Sequence, residues 1–115
     1  MGPTFKPQFD KVIHERVRLS ILAYLSSSSA ASVSFTQVKE DLELTSGNLS
    51  IQLRNLEEAG YVTITKSFVQ NKSNTAIRLT VRGDQALEEY LSEMEQLIQT
   101  LRRGDAPGGP AESGA

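Results

Sequence analysis

Apolar side chains recur at helical spacing in several stretches of this chain and alternate with polar ones in two others. From Asp10 to about Ser26, Ile13, Val17, Ile21 and Leu25 repeat every four residues and Leu22 widens the stripe, which predicts a core-facing helix with Asp10 as N-cap. The run SSSSAAS at 26–32 is a polar connector. Val33–Phe35 fits a short strand, and Ser34 with Gln37, or Thr36 alone, caps the next helix. That helix turns Val38 and Leu42 inward, is closed by Leu44, and exposes Glu40, Asp41 and Glu43. A third helix starts at Thr45 or Ser46 and ends at Gly60, with Leu49, Leu53 and Leu56 on its inner face. YVTITKSFV and TAIRLTV alternate as strands, with Val62 and Ile64 on one face of the first and Ile77, Leu79 and Val81 on one face of the second. The cluster QNKSN at 70–74 turns between them. Thr80 caps a last helix reaching about Arg103, whose seam Leu87, Leu91, Met94, Ile98, Leu101 repeats as 4, 3, 4, 3 and is widened by Tyr90 and Leu97.

These elements predict a mainly α protein with a small β-hairpin: helix, helix, helix, wing, helix. The expected division is an N-terminal arm at 1–9, a winged helix-turn-helix at 10–82, a dimerisation helix at 83–103 and a disordered tail at 104–115. Phe5 and Phe9 sit in the proline-interrupted arm, which either docks on its own domain, docks on a partner subunit or stays loosely ordered. The last helix carries more apolar surface than one neighbour needs. The expected homodimer interface therefore uses Leu87, Tyr90, Leu91, Met94, Leu97, Ile98 and Leu101, with Phe5, Phe9 and Ile13 beside them.

The outward face of the third helix is where chemistry is expected. Gly47, Asn48, Ile51, Arg54 and Asn55 leave it almost free of acids and suited to base edges. Thr45 supplies a capping oxygen, and the helix start at Ser46 presents free N–H groups to a phosphate. With Ser50, these residues are the expected contacts to bases or nearby phosphates; Ile51 has the character to touch a thymine methyl. In the hairpin, Lys66, Lys72 and Arg78 are placed to hold the DNA backbone or the minor groove.

Composition narrows the alternatives. The chain of 115 residues has a net charge of −2, which counts against a strong nucleic-acid binder. Its distribution counts the other way. Ala59–Gly83 holds four basic residues and no acid, whereas Asp84–Glu95 holds five acids and no base. With no cysteine and a single histidine, His14, neither a disulfide framework nor a metal site is expected, and no cofactor is implied. His14 reads as a helix-surface or interface imidazole. No apolar run is long enough to span a membrane and the N-terminus does not have the layout of a signal peptide, so a cytoplasmic protein is expected.

FDKVIHERVRLSILAYL, LTSGNLSIQLRNLEEAGYV and TAIRLTVRGDQALEEYL resemble the first helix, the recognition helix with its exit, and the wing return with the C-terminal helix of small prokaryotic winged helix-turn-helix regulators of the MarR/ArsR type. The resemblance covers roughly residues 8–100. It implies a homodimer that binds a double-stranded DNA operator and usually represses transcription. The ligand clusters of ArsR-type metal sensors have no counterpart here. The extra helices that form an effector pocket in larger MarR proteins would not fit this length, so a small-molecule effector would have to bind at the dimer interface. The competing expectation is a winged helix used for protein contact, which would need several large apolar anchors where residues 47–55 offer only Ile51. An enzyme has little support, because neither a Gly-rich phosphate loop nor a nucleophile–histidine–acid set is present.

Overall fold

The structure, a computed structural model, describes residues 7–104. Its elements run α1 (Arg16–Ser27), β1 (Val33–Ser34), α2 (Phe35–Asp41), α3 (Ser46–Glu58), β2 (Val62–Val69), β3 (Lys72–Leu79) and α4 (Val81–Arg102). The sheet is antiparallel in the order β1-β3-β2, so the short first strand joins the hairpin as a third strand. This is the expected winged helix.

The expected stripes form the core. Ile21, Leu22 and Leu25 of α1, Val38 of α2, Leu49, Leu53 and Leu56 of α3, Val62 and Ile77 of the sheet, and Leu87 and Tyr90 of α4 are all buried. Each of the three α3 leucines is fully or almost fully enclosed. Burial on that scale is worth about 1.5–3 kcal/mol per side chain and fixes which face of α3 points outward.

Three boundaries differ from the sequence expectation. Asp10 does not open α1: its Oδ1 accepts from the amides of Val12 (2.8 Å) and Ile13 (3.3 Å), making a separate turn. Glu15 is then extended (φ −145°, ψ 133°) and caps α1 by accepting from the Arg18 amide at 2.8 Å. Apolar spacing carries Ile13 into the core through this break. The wing is also longer than expected. β2 and β3 pair out to Val69 and Lys72, and Gln70 and Asn71 turn the chain alone, both left-handed (φ 53° and 65°). That is the two-residue turn whose twist matches paired strands. Finally, Val81 is not an inward strand residue. The Thr80 hydroxyl accepts from the Gly83 amide at 2.9 Å, so Val81 becomes the first residue of α4 and is 75% exposed. The expected division between 82 and 83 thus falls inside α4.

Thr80 does a second job, its hydroxyl donating to the Gly60 carbonyl at 2.7 Å. Gly60 is the left-handed residue (φ 83°) that ends α3, as its position after the last leucine predicts. A single side chain therefore ties the end of α3 to the start of α4. Among the described residues no helix is long and apolar enough to cross a membrane.

Candidate nucleic-acid interface

Thr45 caps α3, its hydroxyl accepting from the Asn48 amide at 3.0 Å. Opposite the buried leucines, Ser46, Gly47, Ser50, Ile51, Arg54 and Asn55 are exposed and Asn48 is half-buried. Nothing lies within 4 Å of where a Cβ on Gly47 would stand, so the start of this face is open.

The face has two flanks. On one, Ser50, Arg54 and Glu57 border a cleft of about 580 Å³ whose far wall is Ile64, Lys66 and Thr75 of the wing. On the other, Asn55 and Glu58 border a smaller cleft of about 380 Å³ with Lys11, Val12 and Arg18. Gly47 and Ile51 form the crest between the flanks, and Ile51 is 59% exposed.

Strand alternation sorts the wing cations. Side chains two apart share a face. Ile64, Lys66 and Phe68 therefore face α3, while Lys72 and Arg78, paired with Val69 and Thr63, lie on the outer face. Of the eleven residues expected to meet DNA, Ser50, Arg54 and Lys66 converge on one cleft. Thr45, Ser46, Gly47, Asn48 and Ile51 lie along the same helix, and Asn55 lines the opposite flank. Lys72 and Arg78 are not brought into the cleft. Glu57 sits in the wing cleft and Glu58 in the other, so neither flank is purely basic.

Four residues beside this face escaped the sequence reading. Arg18 Nε donates to the Val12 carbonyl (2.6 Å) and its Nη1 to Gln52 Oε1 (2.9 Å); Gln52 Nε2 in turn donates to Asn48 Oδ1 (3.1 Å). The relay occupies the Asn48 carbonyl and leaves its NH2 group to donate to an acceptor outside the protein. Lys11 adds a cation beside Asn55. Phe68 is 79% exposed at the wing tip. Only Phe68 carried a sequence signal, the period-2 alternation that puts it on the Lys66 face; the other three are brought here by a turn and by a long-range bond that hydrophobic spacing does not report.

That turn is pinned to the connection between α3 and β2. The Tyr61 hydroxyl donates to Asp10 Oδ2, and burial together with this bond and the Asp10 charge pushes the Tyr61 hydroxyl up to about 12. On α2, Asp41 accepts from the Tyr24 hydroxyl of α1 at 2.5 Å, which turns this acid towards α1.

The residues expected at a dimer interface also divide. Leu91, Ile98 and Leu101 are 48%, 42% and 54% exposed, with Met94 and Leu97 half-buried beside them. Ile13, Leu87 and Tyr90 are enclosed by their own chain and support the seam from behind. Phe9 stacks on His14 (5.0 Å between centroids, 8° between planes) and leans on Tyr90, whose hydroxyl shares a 2.8 Å hydrogen bond with His14 Nδ1. Phe5 lies outside the described residues, as does the tail from 105 onwards.

Comparison with known proteins bears on this geometry. The profile of the winged helix DNA-binding domain family matches residues 17–98. The uncharacterized protein MJ0432 of Methanocaldococcus jannaschii is 36% identical over 91 residues, 79% of this chain and 97% of its own length. Among solved structures, the transcriptional regulator homologue from Pyrococcus horikoshii OT3 superposes with a TM-score of 0.72 at 29% identity, over 78% of this chain and 87% of that one. MepR of S. aureus in complex with DNA shares the fold, with a TM-score of 0.58 at 23% identity over 76% of this chain and 63% of its own.

Proposed function

We propose, from the premise that this chain belongs to the winged helix DNA-binding domain family, that it is a sequence-specific, double-stranded DNA-binding regulator of transcription, acting as a homodimeric repressor in the cytoplasm. The observation that carries this reading is the cleft in which Ser50 and Arg54 of α3 face Lys66 of the wing. α3 enters the major groove. Arg54, Asn48 and Asn55 read base edges, Ile51 meets a thymine methyl, and Lys66 neutralises the strand running between helix and wing. The MepR structure, solved with DNA on the same fold, supports this partner.

The homodimer rests on α4. Its 22 residues span about 33 Å and the 12 residues of α1 about 18 Å, so α1 cannot cover the whole of α4. Leu91, Met94, Ile98 and Leu101 are left as a seam for a second copy. Pairing there places two recognition helices in successive major grooves, about 34 Å apart. Any effector would act at that interface.

The test is fluorescence anisotropy with a mixed-sequence duplex at low and moderate salt. Salt-sensitive binding in the micromolar range, weakened by Lys66→Ala and Lys72→Ala, is the expected result. A protein-contact module is the second reading, and the exposure of Ile51 speaks for it. Absence of binding even at low salt would put that reading first.

A further inference from the structure

Phe68 occupies an odd place for a large apolar side chain. It stands at the end of the wing, 79% exposed, next to a two-residue turn whose left-handed Gln70 and Asn71 hold the tip in one shape. Around it the tip is Val69, Gln70, Asn71, Lys72 and Ser73, so apart from Val69 its neighbours are polar. Val69 does not join it in a patch. The two are consecutive in a strand and point to opposite faces, which makes a flat apolar docking surface for another protein a poor fit.

Position favours a different partner. Phe68 shares its face with Ile64 and Lys66, the residues that wall the cleft opposite Arg54. It lies four strand residues beyond Ile64, about 13 Å further out at the usual rise. With α3 in a major groove about 12 Å wide, that reach carries the tip past one phosphate backbone to the adjoining minor groove. Lys66 on one face and Lys72 on the other then bracket the ring with positive charge, matching the strands on either side of that groove.

We propose that Phe68 is a wedge that enters the minor groove beside the α3 site and reads how readily the base step there unstacks. Apolar side chains used in this way open a step and bend the duplex, and flexible pyrimidine–purine steps resist least. The wing would thereby add sequence preference at positions where it makes no base-edge hydrogen bond. This inference rests on the DNA-binding reading above.

The experiment uses the full chain and its Phe68→Ser and Phe68→Leu variants. The probes are a duplex selected from a random pool by the wild-type protein, carrying 2-aminopurine in the steps flanking the α3 site, and a mixed-sequence duplex. We expect the wild type and Phe68→Leu to raise 2-aminopurine fluorescence at one flanking step. Phe68→Ser should lose that signal and bind the selected duplex about tenfold more weakly. Its affinity for the mixed-sequence duplex should stay within about twofold of wild type, because the phosphate contacts remain. A Phe68→Ser protein equal to wild type on the selected duplex, or a wild type that leaves every flanking step stacked, would overturn the wedge. So would a fall in oligomeric mass on Phe68→Ser in sedimentation, which would make Phe68 a self-contact. Wild-type protein that binds no duplex at low salt would overturn the DNA-binding reading as well, whereas binding with a silent Phe68 overturns the wedge alone.

Discussion

At Gly83 helix propensity and packing pull in opposite directions. Glycine inside a helix costs roughly 0.5–1 kcal/mol relative to alanine, so propensity alone favours Gly83→Ala. A Cβ there would stand 2.2 Å from the Tyr61 carbonyl oxygen, a backbone atom that cannot swing aside. Overpacking of this kind costs about 1–3 kcal/mol and reverses the sign. Gly83→Ala is expected to lower the melting temperature by about 4–8 °C per kcal/mol lost, measurable by circular dichroism. Tyr61 also sets a pH limit. Its hydroxyl titrates at about 12 in the folded chain against 10.0 as a free side chain. The neutral form is the one held, so the stability it contributes is complete below pH 10 and is lost as pH rises through about 12. Melting curves between pH 9 and 12 should show this decline, and Tyr61→Phe should flatten it. The base-reading role proposed for Arg54 can be tested directly. Arg54→Ala should weaken specific binding by about 1–3 kcal/mol and relax preference at one base pair, seen by titrating matched and mismatched duplexes.

At the scale of elements, the wing and α4 each show an uncovered side. The wing cations are unequal because strand alternation puts Lys66 towards α3 and Lys72 and Arg78 behind it. Lys66→Ala should cost more affinity than Arg78→Ala and reduce the salt slope by about 0.9 for one lost phosphate contact. A larger loss from Arg78→Ala than from Lys66→Ala would mean that the hairpin meets DNA with its outer face. On α4, Ile98→Glu with Leu101→Glu puts charge on the exposed seam without touching the buried Leu87 and Tyr90. Sedimentation should then show a monomer with unchanged helical content. An unchanged mass would place the contact between copies elsewhere.

For the whole molecule, the sum of charges says less than their arrangement. A net charge of −2 coexists with a basic stretch from Ala59 to Gly83, which is followed on α4 by five acids between Asp84 and Glu95. The sequence by itself determined the four helices, the hairpin and the inner leucines of α3, since apolar residues at periods of 3.6 and 2 have one way to reach a common core. Exposure of Ser50, Ile51, Arg54 and Asn55 followed from the same geometry. Tertiary structure alone decided the rest. The extended Glu15 that starts α1 six residues after Asp10, the Arg18–Gln52–Asn48 relay and the bond from Tyr61 to Asp10 join residues 34 to 51 positions apart or depend on one backbone angle. Periodicity carries no information about either. It also could not say that Arg54 and Lys66 would share a cleft while Asn55 faces the other flank. That depends on how α3 packs against the sheet, which is set by the shapes of buried side chains acting together.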